Sequence, residues 1–175
     1  MHRCDTVRSN RFIVSDVIMT SRVRLSAYSV ALTAIITIVM TAICVITFHE
    51  KVAFYTMLAA ALFMFIITLS YAPVEIGADP DFVTVRSVTR RQRIPLNRIE
   101  RVELFQPTLG AYRLFASGGF MGYWGLFREG DVGRYMAYYG KASDCFMIRM
   151  KNGDKYVLGC KNPGEMVEYI KSFII

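Results

Sequence analysis

Four arginines near the middle of the chain are the residues best suited to binding a ligand. They are Arg86, Arg90, Arg91 and Arg93. A planar guanidinium group can donate two hydrogen bonds to one phosphate, and each basic side chain near an anionic membrane surface contributes roughly 1 kcal/mol. The cluster therefore predicts a site for anionic lipid headgroups. A solvated hairpin edge, whose charges keep other strands from pairing with it, explains the same residues without any ligand.

A second candidate surface is the glycine-rich and aromatic segment 118–127. Its large apolar side chains stand at both odd and even positions, so a single buried face of a strand cannot hold them all. The domain's own loops, a partner chain or the bilayer interface must therefore cover the second face. If the cover is a second copy of the chain or another membrane protein, the candidate partner-binding residues are Phe120, Tyr123, Trp124 and Phe127.

Catalytic chemistry finds little support in this sequence. The two histidines, His2 and His49, both precede residue 73, so segment 73–175 can form neither a Ser-His-Asp arrangement nor a histidine metal site. The four cysteines lack metal-binding spacing, and the carboxylate pairs are better explained as solvated charges. Segment 73–175 has 15 Lys and Arg against 11 Asp and Glu, an excess of only 4. We therefore expect no enzyme, cofactor, metal site or nucleic-acid partner.

The elements that must position these residues begin with two apolar segments, 25–48 and 52–72, separated only by His49, Glu50 and Lys51. Neither segment contains a charged residue, and each is long enough to cross a hydrocarbon layer of roughly 30 Å. The first is longer than the apolar region of a signal peptide. We predict a two-helix transmembrane hairpin, whose short connection places everything after it on the same side as the N-terminus.

The N-terminal basic segment 1–24 predicts the orientation of this hairpin. It carries five arginines against two aspartates, whereas the connection at 49–51 is balanced. Because Lys and Arg near the ends of spans stay in the cytoplasm, we expect the N-terminus and the domain at 73–175 to be cytoplasmic. Whether translation starts at Met1 or at Met19 is open at this stage.

Small residues at four-residue spacing predict where the two helices pack. These are Thr33, Thr37 and Thr41 in the first helix, with Thr56 and Ala60 in the second. Because lipid gives no hydrophobic reward for bringing helices together, small residues that allow close approach usually form the contact. A transport pathway is the less favoured alternative, because neither span holds an ionisable residue.

After residue 73 the sequence predicts six or seven short strands and one C-terminal amphipathic helix. The clearest strand candidates are 82–86, 89–94, 99–105, 134–139, 144–151 and 155–159. The sequence Lys151-Asn152-Gly153-Asp154 is typical of a two-residue type I′ turn, which would pair residues whose numbers sum to 305. Cys145 would then lie opposite Cys160, and we expect both thiols to stay free in a reducing cytoplasm.

Three segments resemble one known family. They are IPLNRIERVEL at 94–104, GGFMGYWGLF and GRYMAYYG at 118–127 and 133–140, and KNGDKYVLGCKNPGEMVEYI at 151–170. Together they resemble the bacterial pleckstrin homology (PH) domains often found behind membrane spans. The resemblance implies a bent antiparallel barrel of about seven strands, closed by the C-terminal helix.

The family resemblance also bears on function, because PH-like folds mostly bind lipids, peptides or each other. Phosphoinositide-binding members carry a basic loop between their first two strands, and the resemblance places the arginines there. This chain departs from those members because Trp124 does not lie in the terminal helix, which leaves generic attraction to anionic lipid. We expect a bacterial inner-membrane protein that binds lipid, a partner or itself; the alternative is an accessory subunit of an envelope transporter or export complex.

Overall fold

The computed structural model describes residues 19–108 and 110–174. Within them the chain forms three α-helices and ten strands. In chain order these are β1 (Met19–Arg22), α1 (Ala27–Ile46), α2 (Lys51–Tyr71), β2 (Pro73–Ala78), β3 (Phe82–Ser87), β4 (Arg91–Pro95), β5 (Ile99–Leu104), β6 (Tyr112–Gly119), β7 (Gly122–Glu129), β8 (Gly133–Tyr139), β9 (Cys145–Met150), β10 (Lys155–Gly159) and α3 (Pro163–Lys171).

Helices α1 and α2 are long and apolar enough to cross a membrane, as the sequence predicts. Almost none of either helix is buried by the rest of the chain, unlike the core helix of a soluble protein. Ser26 caps α1, because its Oγ accepts a hydrogen bond from the Ser29 N–H at 3.1 Å. Helix α2 ends at Tyr71, since Pro73 lacks an N–H and restricts the residue before it.

The first sheet joins one strand that precedes the helical hairpin in the chain to three strands that follow it. Its four strands run in the order β1-β2-β3-β4, and every neighbouring pair is antiparallel. Strand β1 pairs Met19 with Ala78 and Arg22 with Glu75. The described part of segment 1–24 is therefore a strand of the domain's first sheet, whereas residues 1–18 lie outside the described residues.

The second sheet has six strands in the order β5-β9-β10-β8-β7-β6. Strands β8 and β10 run parallel, and the other neighbouring pairs are antiparallel. The expected barrel of about seven antiparallel strands is thus wrong in detail. The described chain has ten strands in two sheets, and β5 and β6 stay at opposite edges, so neither sheet closes.

Two apolar cores flank the second sheet. The larger core lies between the two sheets and α3, which contributes Met166, Val167 and Ile170. The smaller core lies on the other face and includes Phe127 and Tyr139. Because both faces of β9 are covered, its side chains are buried at consecutive positions rather than alternately.

The register of the β9–β10 hairpin differs from the prediction by one residue. Paired numbers sum to 304, so Cys145 faces Gly159 and not Cys160. The reason lies in the turn, where Gly153 has a φ of +88° but Asn152 does not have a positive φ, as a type I′ turn would require. The loop therefore holds three residues, and the shift of one moves Leu158 onto the face of Phe146.

Candidate functional site

The turn between β3 and β4 rests on the last turn of α2. We call residues 88–90 the arginine turn, since they end in Arg90. Arg86 precedes this turn in the chain, and Arg91 and Arg93 follow it. The Thr89 hydroxyl donates to Ser70 Oγ at 3.0 Å, and the Arg90 guanidinium lies over the Tyr71 ring, 5.2 Å from its centre. These contacts place a positive charge at the domain end of a membrane-length helix.

The position of this turn corrects one expectation. The domain begins with β2, so the arginine turn joins its second and third strands and not its first two. The true first turn carries Asp79 and Asp81, and the Asp79 carboxylate accepts the Phe82 N–H at 2.7 Å. The basic loop of phosphoinositide-binding relatives therefore has no counterpart at that place, and any lipid contact must be argued from geometry.

Strand register creates a charged row that no sequence pattern indicates. Arg22, Glu75, Arg86 and Arg91 stand opposite one another across β1 to β4, and residues paired in this way project from the same face of a sheet. Arg86 Nη1 lies 3.4 Å from Glu75 Oε2. Sequence reasoning missed Arg22, because only the pairing of β1 with β2 brings it here.

Arg93 lies apart from this row. It is paired with Thr84, two residues further along β4 from the arginine turn, or roughly 7 Å further from the helices. Its guanidinium lies over the Phe82 ring, 5.9 Å from the ring centre. The structure therefore divides the predicted cluster into three arginines near the helix ends, Arg86, Arg90 and Arg91, and one that is further away.

The turn between β6 and β7 contacts α1. We call its two residues, Phe120 and Met121, the apolar turn. The Met121 N–H donates to Thr33 Oγ1 at 2.9 Å, and Ser117 Oγ donates to the Phe120 carbonyl at 3.1 Å. Gly119 allows the close approach, because a Cβ there would come within 3.0 Å of Leu32.

This contact lies well inside the apolar segment. Thr33 is roughly 9 Å along α1 from its first residue, at 1.5 Å per residue. Phe120 also lines a groove of about 310 Å³ together with residues of both helices. The apolar turn therefore extends along the helices, past the level at which the arginine turn stops.

The aromatic side chains that follow the apolar turn are covered by the chain itself. Trp124 stacks on Tyr71 of α2 with ring centres 5.6 Å apart, and Tyr123 stacks on Tyr139 at 4.9 Å. Phe127 is only 2% exposed and belongs to the smaller core. Of the covers considered for this segment, the structure supplies the chain's own β8 and α2. A partner at these residues stays a prediction.

Most of the residues predicted to pack the two helices together have exposed side chains. Thr37 and Thr41 nevertheless line the groove of about 310 Å³ together with Leu58 and other residues of α2. Thr37, Thr41, Thr56 and Ala60 are exposed, and each threonine hydroxyl donates to the carbonyl four residues before it. The half-buried positions of the two helices include Ile36, Met40, Met57 and Ala61. Only Thr33 of the predicted set is half-buried, and it also accepts the Met121 N–H.

Residues 74–174 match a family model described as the bacterial PH domain. The chain belongs to the bacterial PH domain family. Comparisons with curated proteins and with solved structures found no match. The matched range begins within β2 and includes all of α3, so the PH domain of this chain gains β1 as an additional strand from before the hairpin.

Of the buried side-chain nitrogen and oxygen atoms in the part of the chain that the structure describes, all but Trp124 Nε1 have a hydrogen-bond partner. The buried Glu129 carboxylate accepts hydrogen bonds from Thr108 Oγ1 at 2.6 Å and Tyr135 Oη at 3.3 Å. Cys145 and Cys160 are buried free thiols, and burial raises the pKa of Cys145 above its usual range. Among residues 19–108 and 110–174, no three His, Cys, Asp or Glu residues form a group able to hold a metal ion.

At the domain end of the hairpin, the PH domain therefore presents a charged layer at the arginine turn and an apolar layer at the apolar turn. Arg90, Tyr71 and Trp124 form a stack from cation to aromatic rings. Tyrosine and tryptophan concentrate at membrane–water interfaces, where one side of the ring meets headgroups and the other meets hydrocarbon. Such an arrangement can bind an anionic group at the arginines and apolar chains beside the helices.

Proposed function

We propose that this chain is a non-enzymatic bacterial inner-membrane protein that holds its PH domain against the cytoplasmic leaflet, where the arginine turn binds anionic lipid. The observation that carries the proposal is the contact of the arginine turn with the last turn of α2, through Thr89 on Ser70 and Arg90 on Tyr71. A membrane-length helix that ends at this point would bring its residues to the height of the headgroups.

The distribution of charge supports the cytoplasmic orientation. Arg22, Arg24 and Arg90 adjoin the domain end of the hairpin, whereas the opposite connection contains His49, Glu50 and Lys51 and has no excess of either sign. Basic residues at the ends of spans favour the cytoplasmic side. Reporter enzymes fused after residue 175 test this part. We expect a reporter that works only in the cytoplasm to be active, and activity of a reporter that works only outside the cytoplasm would reject the orientation.

The lipid part is tested on the full chain in neutral detergent, with unfolding followed by the fluorescence of Trp124, the only tryptophan. Phosphatidylglycerol should raise the unfolding midpoint more than phosphatidylcholine, and salt should weaken the difference. The double variant Arg90→Glu/Arg91→Glu should lose most of this gain. The matched control is Arg128→Glu/Arg134→Glu, at the ends of β7 and β8 that lie away from the apolar turn. Equal gains in both variants would refute lipid binding at the arginine turn.

A protein partner is the second candidate, and the observation that favours it is strand β6. This strand lies at the edge of the second sheet, and Phe115 on it is 86% exposed, with Tyr112 and Leu114 exposed nearby. Edge strands with apolar side chains are templates for pairing with another chain. If the chain is an accessory subunit of an envelope complex, Phe115→Asp should abolish copurification in mild detergent and leave the lipid effect intact.

A further inference from the structure

A groove of about 500 Å³ lies where the first sheet meets the ends of both helices. One wall carries charged side chains from three strands: Arg22, Glu75 and Arg86. The other wall is apolar and carries Leu25 before α1, Leu69 of α2 and Met121 of the apolar turn. The groove therefore has a charged side toward the sheet and an apolar side toward the helices.

The charged wall has an excess of positive charge that the chain does not balance. Glu75 already pairs with Arg86, with 3.4 Å between Nη1 and Oε2. The Arg22 side chain makes no ion pair with any described residue. Arg91 stands beside Arg86 and adds a third positive charge to the same row. An anionic group is the natural complement, whereas the ammonium of a zwitterionic headgroup would find no unpaired carboxylate on this wall.

The apolar wall selects among anionic ligands. A soluble phosphate would neutralise Arg22 but would leave Leu25, Leu69 and Met121 in contact with water, at a cost of roughly 25 cal/mol per Å² of apolar surface. A phospholipid satisfies both walls, since its phosphate and its acyl chains are joined at the distance of the glycerol unit. The volume lies within the range of small-ligand sites and suits a headgroup with the first part of one chain.

We propose that this groove binds one anionic phospholipid, with its phosphate at Arg22 and Arg86 and one acyl chain along Leu25, Leu69 and Met121. This inference rests on the proposed membrane function and adds a discrete site to the general attraction at the arginine turn. The lipid links β1, before the hairpin, to β3, after it. Binding should therefore stabilise the pairing of β1 with β2.

The test counts lipids on the intact chain by native mass spectrometry from neutral detergent. Phosphatidylglycerol and phosphatidylcholine are titrated separately, and glycerol 3-phosphate serves as the soluble competitor. We expect one phosphatidylglycerol to be retained at low loading, with phosphatidylcholine bound at least tenfold more weakly and no displacement by glycerol 3-phosphate. Graded loading without a preferred single adduct would overturn the proposal, and so would displacement by the soluble competitor.

Variants assign the retained lipid to the groove. Arg22→Gln/Arg86→Gln should reduce its retention at least tenfold, and Arg22→Gln alone should reduce it while leaving the Glu75–Arg86 pair in place. The control Arg93→Gln/Arg101→Gln removes two exposed arginines outside the groove and should retain the lipid. Retention that is equal in all variants would reject the site.

Failure of the site and failure of the proposed function are distinguishable. If only the site is wrong, the unfolding midpoint still rises with phosphatidylglycerol and still depends on Arg90 and Arg91, but no single lipid is retained. If the cytoplasmic orientation is wrong, the reporter fused after residue 175 shows it without reference to lipid counts.

Discussion

The arginine turn and the apolar turn both contact the helical hairpin, but they contact it at different heights. The arginine turn stops at Ser70 and Tyr71, the last two residues of α2. The apolar turn reaches Thr33, about 9 Å along α1. The arginine turn carries the exposed guanidinium group of Arg90, and the apolar turn carries Phe120 and Met121.

The two heights differ because the polar groups of the two turns differ in what it costs to remove them from water. Guanidinium groups lose favourable hydration on entering hydrocarbon, so the arginine turn belongs at the polar end of a helix. Irregular backbone is tolerated at membrane depth only where its N–H and C=O groups have protein partners. In the apolar turn the Met121 N–H and the Phe120 carbonyl both have such partners, Thr33 Oγ1 and Ser117 Oγ.

The substitution Phe120→Asp should have the largest effect. A carboxylate at the depth of the apolar turn should lower the free energy of unfolding of the full chain in lipid by about 3 kcal/mol. The measurement is chemical unfolding in vesicles, followed by Trp124 fluorescence. Phe115→Asp, on the exposed edge strand, is the control and should change little. Equal small effects would mean that the apolar turn does not lie within the hydrocarbon layer.

The substitution Thr33→Val tests the hydrogen bond that supports the apolar turn. It leaves the Met121 N–H without its acceptor, which should lower the free energy of unfolding by about 1 to 3 kcal/mol. Thr37→Val is a close control, because it loses the same kind of hydroxyl bond to the carbonyl four residues earlier but no partner from the PH domain. If the two variants unfold alike, the hydrogen bond between Thr33 and the apolar turn contributes nothing to stability.

Alkaline pH should destabilise the PH domain through buried tyrosines beside the two turns. Burial raises the pKa of Tyr139, which stacks on Tyr123 after the apolar turn, and also that of Tyr138, where the Arg90 charge opposes the shift. The unfolded chain loses these protons above about pH 10 while the folded chain keeps them, so stability is complete below that pH and falls above it.

Each retained proton steepens this fall by up to about 1.4 kcal/mol per pH unit. Tyr139→Phe should therefore make the decline above pH 10 shallower, and Tyr138→Phe should have a smaller effect. Unfolding midpoints measured between pH 8 and 11.5 test the order. A larger effect for Tyr138→Phe would show that the charge of Arg90 does not lower the pKa of Tyr138.

The smallest expected effect belongs to the arginine turn itself. Arg90→Gln removes a cation over the Tyr71 ring, which should lower the free energy of unfolding by about 0.5 to 1 kcal/mol. A double-mutant cycle with Tyr71→Leu isolates this pair. In the Tyr71→Leu background, Arg90→Gln should no longer lower the free energy of unfolding. Arg91→Gln, with no aromatic ring beneath it among the described residues, should show no coupling to Tyr71. If Arg91→Gln and Arg90→Gln were coupled to Tyr71 equally, the effect would come from the overall positive charge and not from the contact between Arg90 and the ring.

Local patterns predicted the helices and many of the strands. The two spans, the terminal helix from Pro163 and strand β10 at Lys155–Gly159 lie close to where the sequence places them, because each depends on periodicity or on a local start signal. Strands β6 and β7 were missed, since their glycines and two-sided apolar residues lack the alternation of an ordinary strand. The turn at Asn152 and Gly153 was identified, but its loop length was wrong by one residue.

The candidate site was predicted only in part. Arg86, Arg90 and Arg91 are close together in the chain, so their clustering is readable from the sequence, whereas the greater distance of Arg93 from the helices depends on its position along β4. Phe127 looks like a surface anchor in the sequence, yet it fills a core that exists only because the second sheet is covered on both faces.

The sequence by itself determined that two uncharged segments are long enough to cross a membrane and that a bacterial PH domain follows them, because apolar length and local strand and turn signals suffice for both. Only the tertiary structure decided which residues meet at the end of the hairpin. Arg22 joins Arg86 through strand pairing, and Met121 reaches Thr33 across 88 residues of chain. Such contacts follow from how the sheets and helices pack together, and no local spacing of residues encodes them.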